Sequence, residues 1–194
     1  MLAAMRALVP CLLALAGCAA GSGLVAEPLA TFDGGSVLPV AVQVRPLGPR
    51  RARRLLGLDP TPLGVVAMEV RLANRAFEPM ALSGSEAWAI HDARAGARLA
   101  EGLSPDDAAA ALSEAIRAAG GTASTEALAD RLKGRVLAAG VLAPGAVAGG
   151  LVYFRPAENV RLDAGALPGR FVAAPIAPVP ANPAGPVGGR LRFR

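Results

Sequence analysis

Few side chains in this sequence have the chemistry that catalysis requires. His91 is the only histidine among the 194 residues, so a serine–histidine–aspartate triad would depend on it. On a strand, His91 lies opposite Trp88 and Ile90 and faces outward. The Gly-x-Ser-x-Gly pattern of many hydrolases is missing, and Ser83-Gly84-Ser85 fits a turn better than a nucleophile. A pair of carboxylates, as glycosidases use, stays open as an alternative, but no acidic residue stands out. We predict that the chain is not an enzyme.

Metal and cofactor sites lack candidate residues as well. Zinc or copper needs several histidine or cysteine ligands, and the chain offers little besides His91. Met68 and Met80 fall at core positions, and Asp106-Asp107 matches the acidic first turn of a helix. The glycines between 145 and 150 lack the lysine of a phosphate-binding loop. We predict neither a metal nor a cofactor.

The composition indicates a folded chain and argues against nucleic acid. Apolar residues make up 53% and charged residues only 18%, which is unlike a disordered protein. The net charge is +5, but Lys133 is the only lysine, and a bias towards arginine accounts for part of the basic pI. Aromatic residues are 4% of the chain, too few for stacking on single-stranded nucleic acid.

The first eighteen residues have the features of an export signal. Arg6 gives a positive start, and residues 7–15 are an apolar run too short to span a bilayer. The run closes with Leu15-Ala16-Gly17-Cys18, which resembles the lipobox of bacterial lipoprotein precursors. That resemblance implies that the leader is cut before Cys18 and that its thiol carries a diacylglycerol with fatty-acyl chains such as palmitate.

Lipidation at Cys18 would place the protein in the cell envelope. In the proteobacterial lipoproteins that the leader resembles, an aspartate directly after the modified cysteine tends to retain the protein at the inner membrane. The resemblance therefore implies that Ala19 favours the periplasmic face of the outer membrane. Cys11 would be lost with the leader, so the mature chain could form no internal disulfide. Two alternatives stay open: an ordinary secretory signal cut after Ala19 or Ala20, and a cytosolic protein with an apolar N-terminal helix.

Alternation of apolar and polar residues predicts several short strands. Residues 64–73 give the clearest pattern, in which Val66, Met68, Val70 and Leu72 share one face. Further strands are predicted at 37–45, 86–91, 97–100, 150–155 and 170–172. The strand at 150–155 is apolar on both faces and is therefore predicted to be central. Residues 46–63, which contain several prolines, are predicted to be a loop.

The periodicity then changes to that of a helix. Ser104, followed by a proline and two aspartates, predicts an N-cap. A second helix begins at Ser124 or Thr125, and its apolar residues repeat at every fourth position as far as Val136. The two helices form a predicted hairpin over 104–140.

Two other segments affect the topology. The segment 175–194 is rich in proline, and we predict a basic tail that cannot join a sheet. Residues 136–154 carry no charge, so a second membrane span is an alternative there, although glycines and Pro144 interrupt it.

These elements predict a mainly β protein, an antiparallel β-sandwich with an inserted helical hairpin. The runs at 69–82, 88–96 and 142–154 resemble small immunoglobulin-like domains of bacterial envelope lipoproteins. In those domains a strand ends at asparagine, and a Pro-Gly turn leads into the penultimate strand. The predicted organisation is a leader (1–17), an anchor and tether (18–36), the sandwich (37–174, with its insert at 104–140) and the tail (175–194).

A cluster of arginines follows the first predicted strand. It consists of Arg50, Arg51, Arg53 and Arg54. Near a tethered end these side chains could contact anionic headgroups, at about 1 kcal/mol each. The alternative is a solvated loop, or ion pairs with Asp59 or Glu69.

The sequence therefore predicts a lipid-anchored, periplasm-facing protein that acts as a non-catalytic protein-interaction module. An exposed sheet edge or the inserted helices would hold an envelope protein as partner. An accessory ligand-binding lipoprotein of a transport or envelope-assembly complex is the alternative.

Overall fold

The computed structural model describes residues 25–26, 40–92, 94–160, 162, 170–174, 176–179 and 189–192. Within them the chain forms strands, α-helices and two 3-10 turns, at Thr61–Leu63 and Ser85–Ala87. The elements in chain order are β1 (Val25–Ala26), β2 (Val40–Pro46), α1 (Pro49–Leu56), β3 (Val66–Asn74), β4 (Met80–Leu82), β5 (Ala89–Asp92), β6 (Arg98–Leu103), α2 (Pro105–Ala118), α3 (Thr125–Lys133), β7 (Gly140–Leu142), β8 (Val147–Pro156), β9 (Arg170–Ala174), β10 (Ile176–Pro178) and β11 (Gly189–Arg192).

The strands form two antiparallel sheets. The large sheet has the order β1-β2-β3-β8-β6-β5-β9-β11, and the small sheet has the order β10-β4-β7. The protein is mainly β, as predicted. The helical pair α2–α3 is inserted between β6 and β7, also as predicted.

The central strands β3 and β8 contribute side chains to two cores, one on each face of the large sheet. Met68, Val70 and Leu72 of β3 pack with Val152 and Phe154 of β8 in one core. The small sheet closes that core with residues of β4, β7 and β10. On the opposite face a second core joins the sheet to the three helices, with the buried side chains Leu56, Leu112, Leu132 and Tyr153. The predicted central position of the strand at 150–155 is confirmed.

The predicted loop at 46–63 is wrong, because it contains helix α1. Pro49 occupies the first turn, Gly57 ends the helix with a positive φ of 77°, and Ala52 and Leu56 are buried. The i, i+4 spacing of these two apolar side chains provides the buried stripe that a short helix needs.

The proline-rich segment also differs from expectation, because parts of it join sheets. Ile176–Pro178 pairs with β4, and Gly189–Arg192 pairs with β9. Both are edge strands, so Pro178 of β10 can turn its missing N–H away from the neighbouring strand, while β11 contains no proline.

Helix α3 is shorter than predicted. It ends at Lys133, and Val136 instead forms a parallel bridge with Leu151 of β8. The uncharged stretch 136–154 folds mainly into β7 and β8. In the part of the chain that the structure describes, no helix combines the length and apolar character needed to cross a membrane.

Candidate functional site: an arginine-lined groove beside an open strand edge

An open groove of about 820 Å³ lies on the helix-covered face of the large sheet. Strands β2, β3 and β8 form its floor, and α1 and residues 134–136 form its walls. The helices cover this face around the paired residues Ala67 and Tyr153. Further along the same strands, Gln43, Arg71 and Gly149 lie directly across from one another and are exposed. The groove is thus the part of this sheet face that the described helices leave uncovered.

The groove is strongly basic. Four arginines line it, namely Arg45, Arg51, Arg71 and Arg135, and Glu69 is the one acidic residue among them. These five side chains leave three net positive charges in one concave surface. Such a surface attracts anionic ligands and speeds their association.

Glu69 neutralises part of this charge. Arg45, which lies directly across from Glu69 in the β2–β3 pair, places its Nη2 2.7 Å from Glu69 Oε2. Arg51 reaches down from α1 and places its Nη2 2.5 Å from Glu69 Oε1. Partial burial raises the pKa of Glu69, but the hydrogen bonds and charges of Arg45 and Arg51 outweigh it and lower that pKa below its usual value.

Arg71 and Arg135 have no such partner. Among the described residues, no acidic side chain forms an ion pair with either guanidinium. Both side chains are exposed within the groove. They are the arginines whose charge is available to a bound molecule.

The backbone of β8 is open along one edge of the groove. Leu151 donates its N–H to the Arg135 carbonyl and accepts from Leu137 N–H, both at 2.8 Å. Because backbone groups alternate along a strand, Gly149 and Val147 direct theirs to the same side. No described residue pairs with that side of Gly149 and Val147, since β6 pairs with β8 only from Tyr153 onward. This open strand edge, Val147–Gly149, is a row of free donors and acceptors.

Two glycines shape this edge. A Cβ on Gly150 would lie 2.6 Å from the backbone N and Cα of Leu137, so the crossing of the 135–137 segment requires glycine there. Gly149 lies directly across from Arg71 and puts no side chain over the floor. A Cβ on Gly149 would meet only the Val70 carbonyl, at 3.4 Å.

The predicted arginine cluster lies on α1. Arg51 points into the groove, and its predicted alternative, an ion pair with Glu69, is confirmed. Arg50, Arg53 and Arg54 are exposed on the helix, and their contact with a membrane stays a prediction. Cys18 and its lipobox lie outside the described residues.

The other residues that the sequence singled out make contacts that belong to the fold itself, in the core, in a strand and at a helix N-terminus. Met68 and Met80 are buried in the core, as predicted. His91 is half-buried in β5, with Nδ1 3.2 Å from the Gly96 carbonyl. Asp107 donates its backbone N–H to the N-cap Ser104. In the parts of the chain that the structure describes, no three metal-ligating side chains come together.

Sequence reasoning missed most of the groove. It singled out Arg51 but not Arg45, Arg71, Arg135 or Gly149. One signal was present: Arg45, Glu69 and Arg71 occupy the polar positions of their alternating strands, so they share a face once β2 and β3 pair. The position of Arg135 could not be found in this way, because it depends on where α3 ends.

Comparisons with known proteins add no identity to this geometry. No protein family, no curated protein and no solved structure matches this chain.

Proposed function

We propose that this chain is a lipid-anchored, periplasm-facing protein of the cell envelope that acts as a non-catalytic protein-interaction module. The observation that carries the interaction role is the open strand edge of β8, beside a concave basic surface. An extended segment of another protein can add to such an edge through main-chain hydrogen bonds, while side-chain contacts provide specificity.

The anchoring part of the proposal depends on the leader. An apolar run followed by Leu15-Ala16-Gly17-Cys18 supports cleavage before Cys18 and acylation of its thiol. Two or three acyl chains hold a protein firmly at a bilayer, whereas one chain is marginal. The Ala19 that follows supports the outer membrane as destination.

We also propose that the two-sheet body is an immunoglobulin-like sandwich. The small sheet packs on the large one through a shared core. Asn74, at the end of β3, accepts a 2.9 Å hydrogen bond from the backbone N–H of Gly145 in the Pro-Gly turn. The strand that ends at asparagine and the Pro-Gly turn, which are the two motifs of the resemblance, therefore meet at one corner of the fold.

A second candidate function is that of an accessory ligand-binding lipoprotein. The groove volume of about 820 Å³ is within the range of small-molecule sites. Its arginines suit a small anion such as a phosphorylated or carboxylated ligand. An open groove with a free strand edge favours a protein segment, because a small anion can accept from a backbone N–H but cannot pair with the alternating N–H and C=O groups of the edge.

Photo-crosslinking in intact membranes tests the interaction role. A photoreactive phenylalanine derivative replaces Val147, whose exposed fraction is 54%, and the control places it at the exposed Glu158, which does not line the groove. We expect a discrete adduct from position 147 and none from position 158. Gly149→Pro should remove the adduct, because it deletes an outward N–H, while Gly149→Ala should retain it. An adduct that survives Gly149→Pro, or a crosslink made instead from Ala110 on α2, would place the partner elsewhere.

Mass spectrometry of the purified chain tests the anchor. The native protein should begin at Cys18 and carry the mass of its acyl chains. Cys18→Ala should leave an unlipidated chain, whereas Cys11→Ala should be processed and acylated normally. A native chain with an intact leader and a free Cys18 thiol would refute lipidation.

A further inference from the structure

The open strand edge and the unpaired arginines lie side by side, and their combination indicates what the partner carries. We propose that the groove binds an extended, acidic peptide segment, which pairs with β8 at Val147–Gly149 and places carboxylates against Arg71 and Arg135. This inference rests on the proposed interaction function and specifies the chemistry of the partner.

The backbone geometry calls for a strand. Val147 and Gly149 each present an N–H and a C=O to the same side, at the spacing of alternate residues along β8. A free phosphate, a carboxylated metabolite or a lipid headgroup has no matching row of donors and acceptors. An extended peptide has one, and pairing lets it satisfy these groups without any rearrangement of the sheet.

We call the space beside the open strand edge of β8, in which an added strand would lie, the lane. It ends at a fixed position. The 135–137 segment already occupies the position next to Leu151, through the two hydrogen bonds of that residue. An added strand therefore stops before Leu151, and Arg135 stands at that end of the lane. The strand that fits is short, so side-chain contacts must contribute much of the selectivity.

The floor beside the lane determines which side chains fit. A residue that pairs opposite Gly149 directs its side chain to the same face as Arg71, because directly paired residues share a face. Gly149 places no atoms between them. Two strand spacings, about 10 Å, separate an added strand from β3, and a long arginine and a glutamate can span that gap together. A carboxylate at this position meets a guanidinium that has no described acidic partner.

The positive charge of the groove favours acidic segments over neutral ones. Arg45 and Arg51 share Glu69, so its carboxylate is committed to them at distances of 2.7 and 2.5 Å. Arg71 and Arg135 keep their charge for the ligand. A basic segment would meet net repulsion from the groove, which excludes partners of that sign.

Binding of three synthetic peptides to the full-length chain tests the inference. The fluorescently labelled probes are Val-Glu-Val-Glu-Val, Val-Gln-Val-Gln-Val and Val-Lys-Val-Lys-Val, and fluorescence anisotropy gives their dissociation constants. We expect the glutamate peptide to bind most tightly and the lysine peptide not to bind. Arg71→Gln and Arg135→Gln should each raise the dissociation constant of the glutamate peptide by about three- to tenfold. Arg98→Gln, an exposed arginine outside the groove, is the matched control and should change nothing.

Further measurements distinguish an acidic peptide from inorganic phosphate and from an anionic membrane surface as the ligand of the groove. Gly149→Pro should abolish peptide binding, while inorganic phosphate and vesicles of phosphatidylglycerol should not displace the peptide at physiological ionic strength. Displacement by phosphate, or binding that persists in Gly149→Pro, would show a simple anion site and overturn the inference. Displacement by the vesicles would assign the groove to a membrane surface and overturn it as well.

The failure of this inference differs from the failure of the proposed function. The crosslink from position 147 could be lost in Gly149→Pro but unchanged in Arg71→Gln and Arg135→Gln. In that case the strand edge binds a partner, and acidic side chains on that partner are not required. The interaction function then stands, and the acidic nature of the partner is refuted.

Discussion

Asn74 joins three parts of the fold with one buried amide. Its Nδ2 donates to the carbonyls of Glu78 at 2.8 Å and Leu142 at 2.9 Å, and its Oδ1 accepts from the backbone N–H of Ala76 at 2.9 Å. The residue is only 1% exposed. The end of β3, the loop that follows it and strand β7 of the small sheet therefore depend on this side chain.

Asn74→Asp changes the chemistry with almost no change in shape. The substitution keeps the acceptor for Ala76, but it replaces the two-proton donor by an oxygen that faces two carbonyl oxygens. The buried carbonyl of Leu142 left without its donor costs about 1–3 kcal/mol, and the part-buried carbonyl of Glu78 adds less, so we expect a loss of about 2–4 kcal/mol at neutral pH. A protonated aspartic acid can donate to one of the two carbonyls and recover part of that loss.

The penalty should therefore depend on pH in a defined direction. Burial and the facing carbonyls raise the folded-state pKa of an aspartate at position 74 above its unfolded value of about 3.9. The protonated form is then the one that the folded state favours. Its contribution is fully present below the unfolded pKa and is lost as pH rises through the folded pKa. The deficit should grow from about pH 4 to about pH 7.

Urea unfolding followed by tryptophan fluorescence measures this effect. Trp88 is the only tryptophan and is 1% exposed, so its emission reports loss of the core. Asn159→Asp is the matched control, because Asn159 is exposed and an aspartate tolerates its positive φ of 63°. If Asn74→Asp unfolds within about 1 kcal/mol of that control, or if its deficit does not grow with pH, the described role of Asn74 is wrong.

Three further predictions concern contacts elsewhere in the fold. Gly102→Ala should destabilise by more than about 2 kcal/mol, since a Cβ there would overlap the carbonyl of the Ser85–Ala87 turn, while Gly48→Ala meets nothing within 4 Å and should be near neutral in thermal unfolding. Ser104→Ala should cost about 1 kcal/mol through the lost N-cap, but Ser113→Ala in the same helix should be neutral or stabilising, because its buried hydroxyl has no partner among the described residues. Burial raises the pKa of Tyr153, the only tyrosine, above its ordinary value of 10.0. Its neutral form stabilises the fold fully below about pH 10 and loses that contribution as pH rises further, so an absorbance titration should show tyrosinate only well above pH 10 or on unfolding.

Local patterns were sufficient to predict the central strands and the helical insert. The alternation through Met68, Val70 and Leu72 correctly assigned one face of β3, because a half-buried strand needs period two. The N-cap at Ser104 was correct because its hydroxyl accepts the Asp107 N–H, a contact made within four residues. Such features are determined by neighbours along the chain.

The errors arose where a distant contact outweighs a local signal. Pro178 appeared to exclude a strand, yet it lies opposite Met80 at the edge of the small sheet. The apolar repeat through Val136 indicated a longer α3, but the hydrogen bonds to Leu151 draw that residue onto β8. In both cases the partner strand is far away in sequence, and periodicity contains no information about it.

The same long-range contact that shortens α3 also creates the candidate site. If α3 continued to Gly140, Arg135 and Val136 would lie on a helix, and no segment would end the lane beside β8. Because the chain leaves the helix at Lys133 and pairs with Leu151, the lane is filled at one residue and left open at Val147–Gly149. Gly150 makes this crossing sterically possible. A larger residue at position 150 should therefore disturb the groove even though it contributes no side chain to binding, and loss of the Val147 crosslink in Gly150→Val with a retained fold would link the crossing to the binding edge.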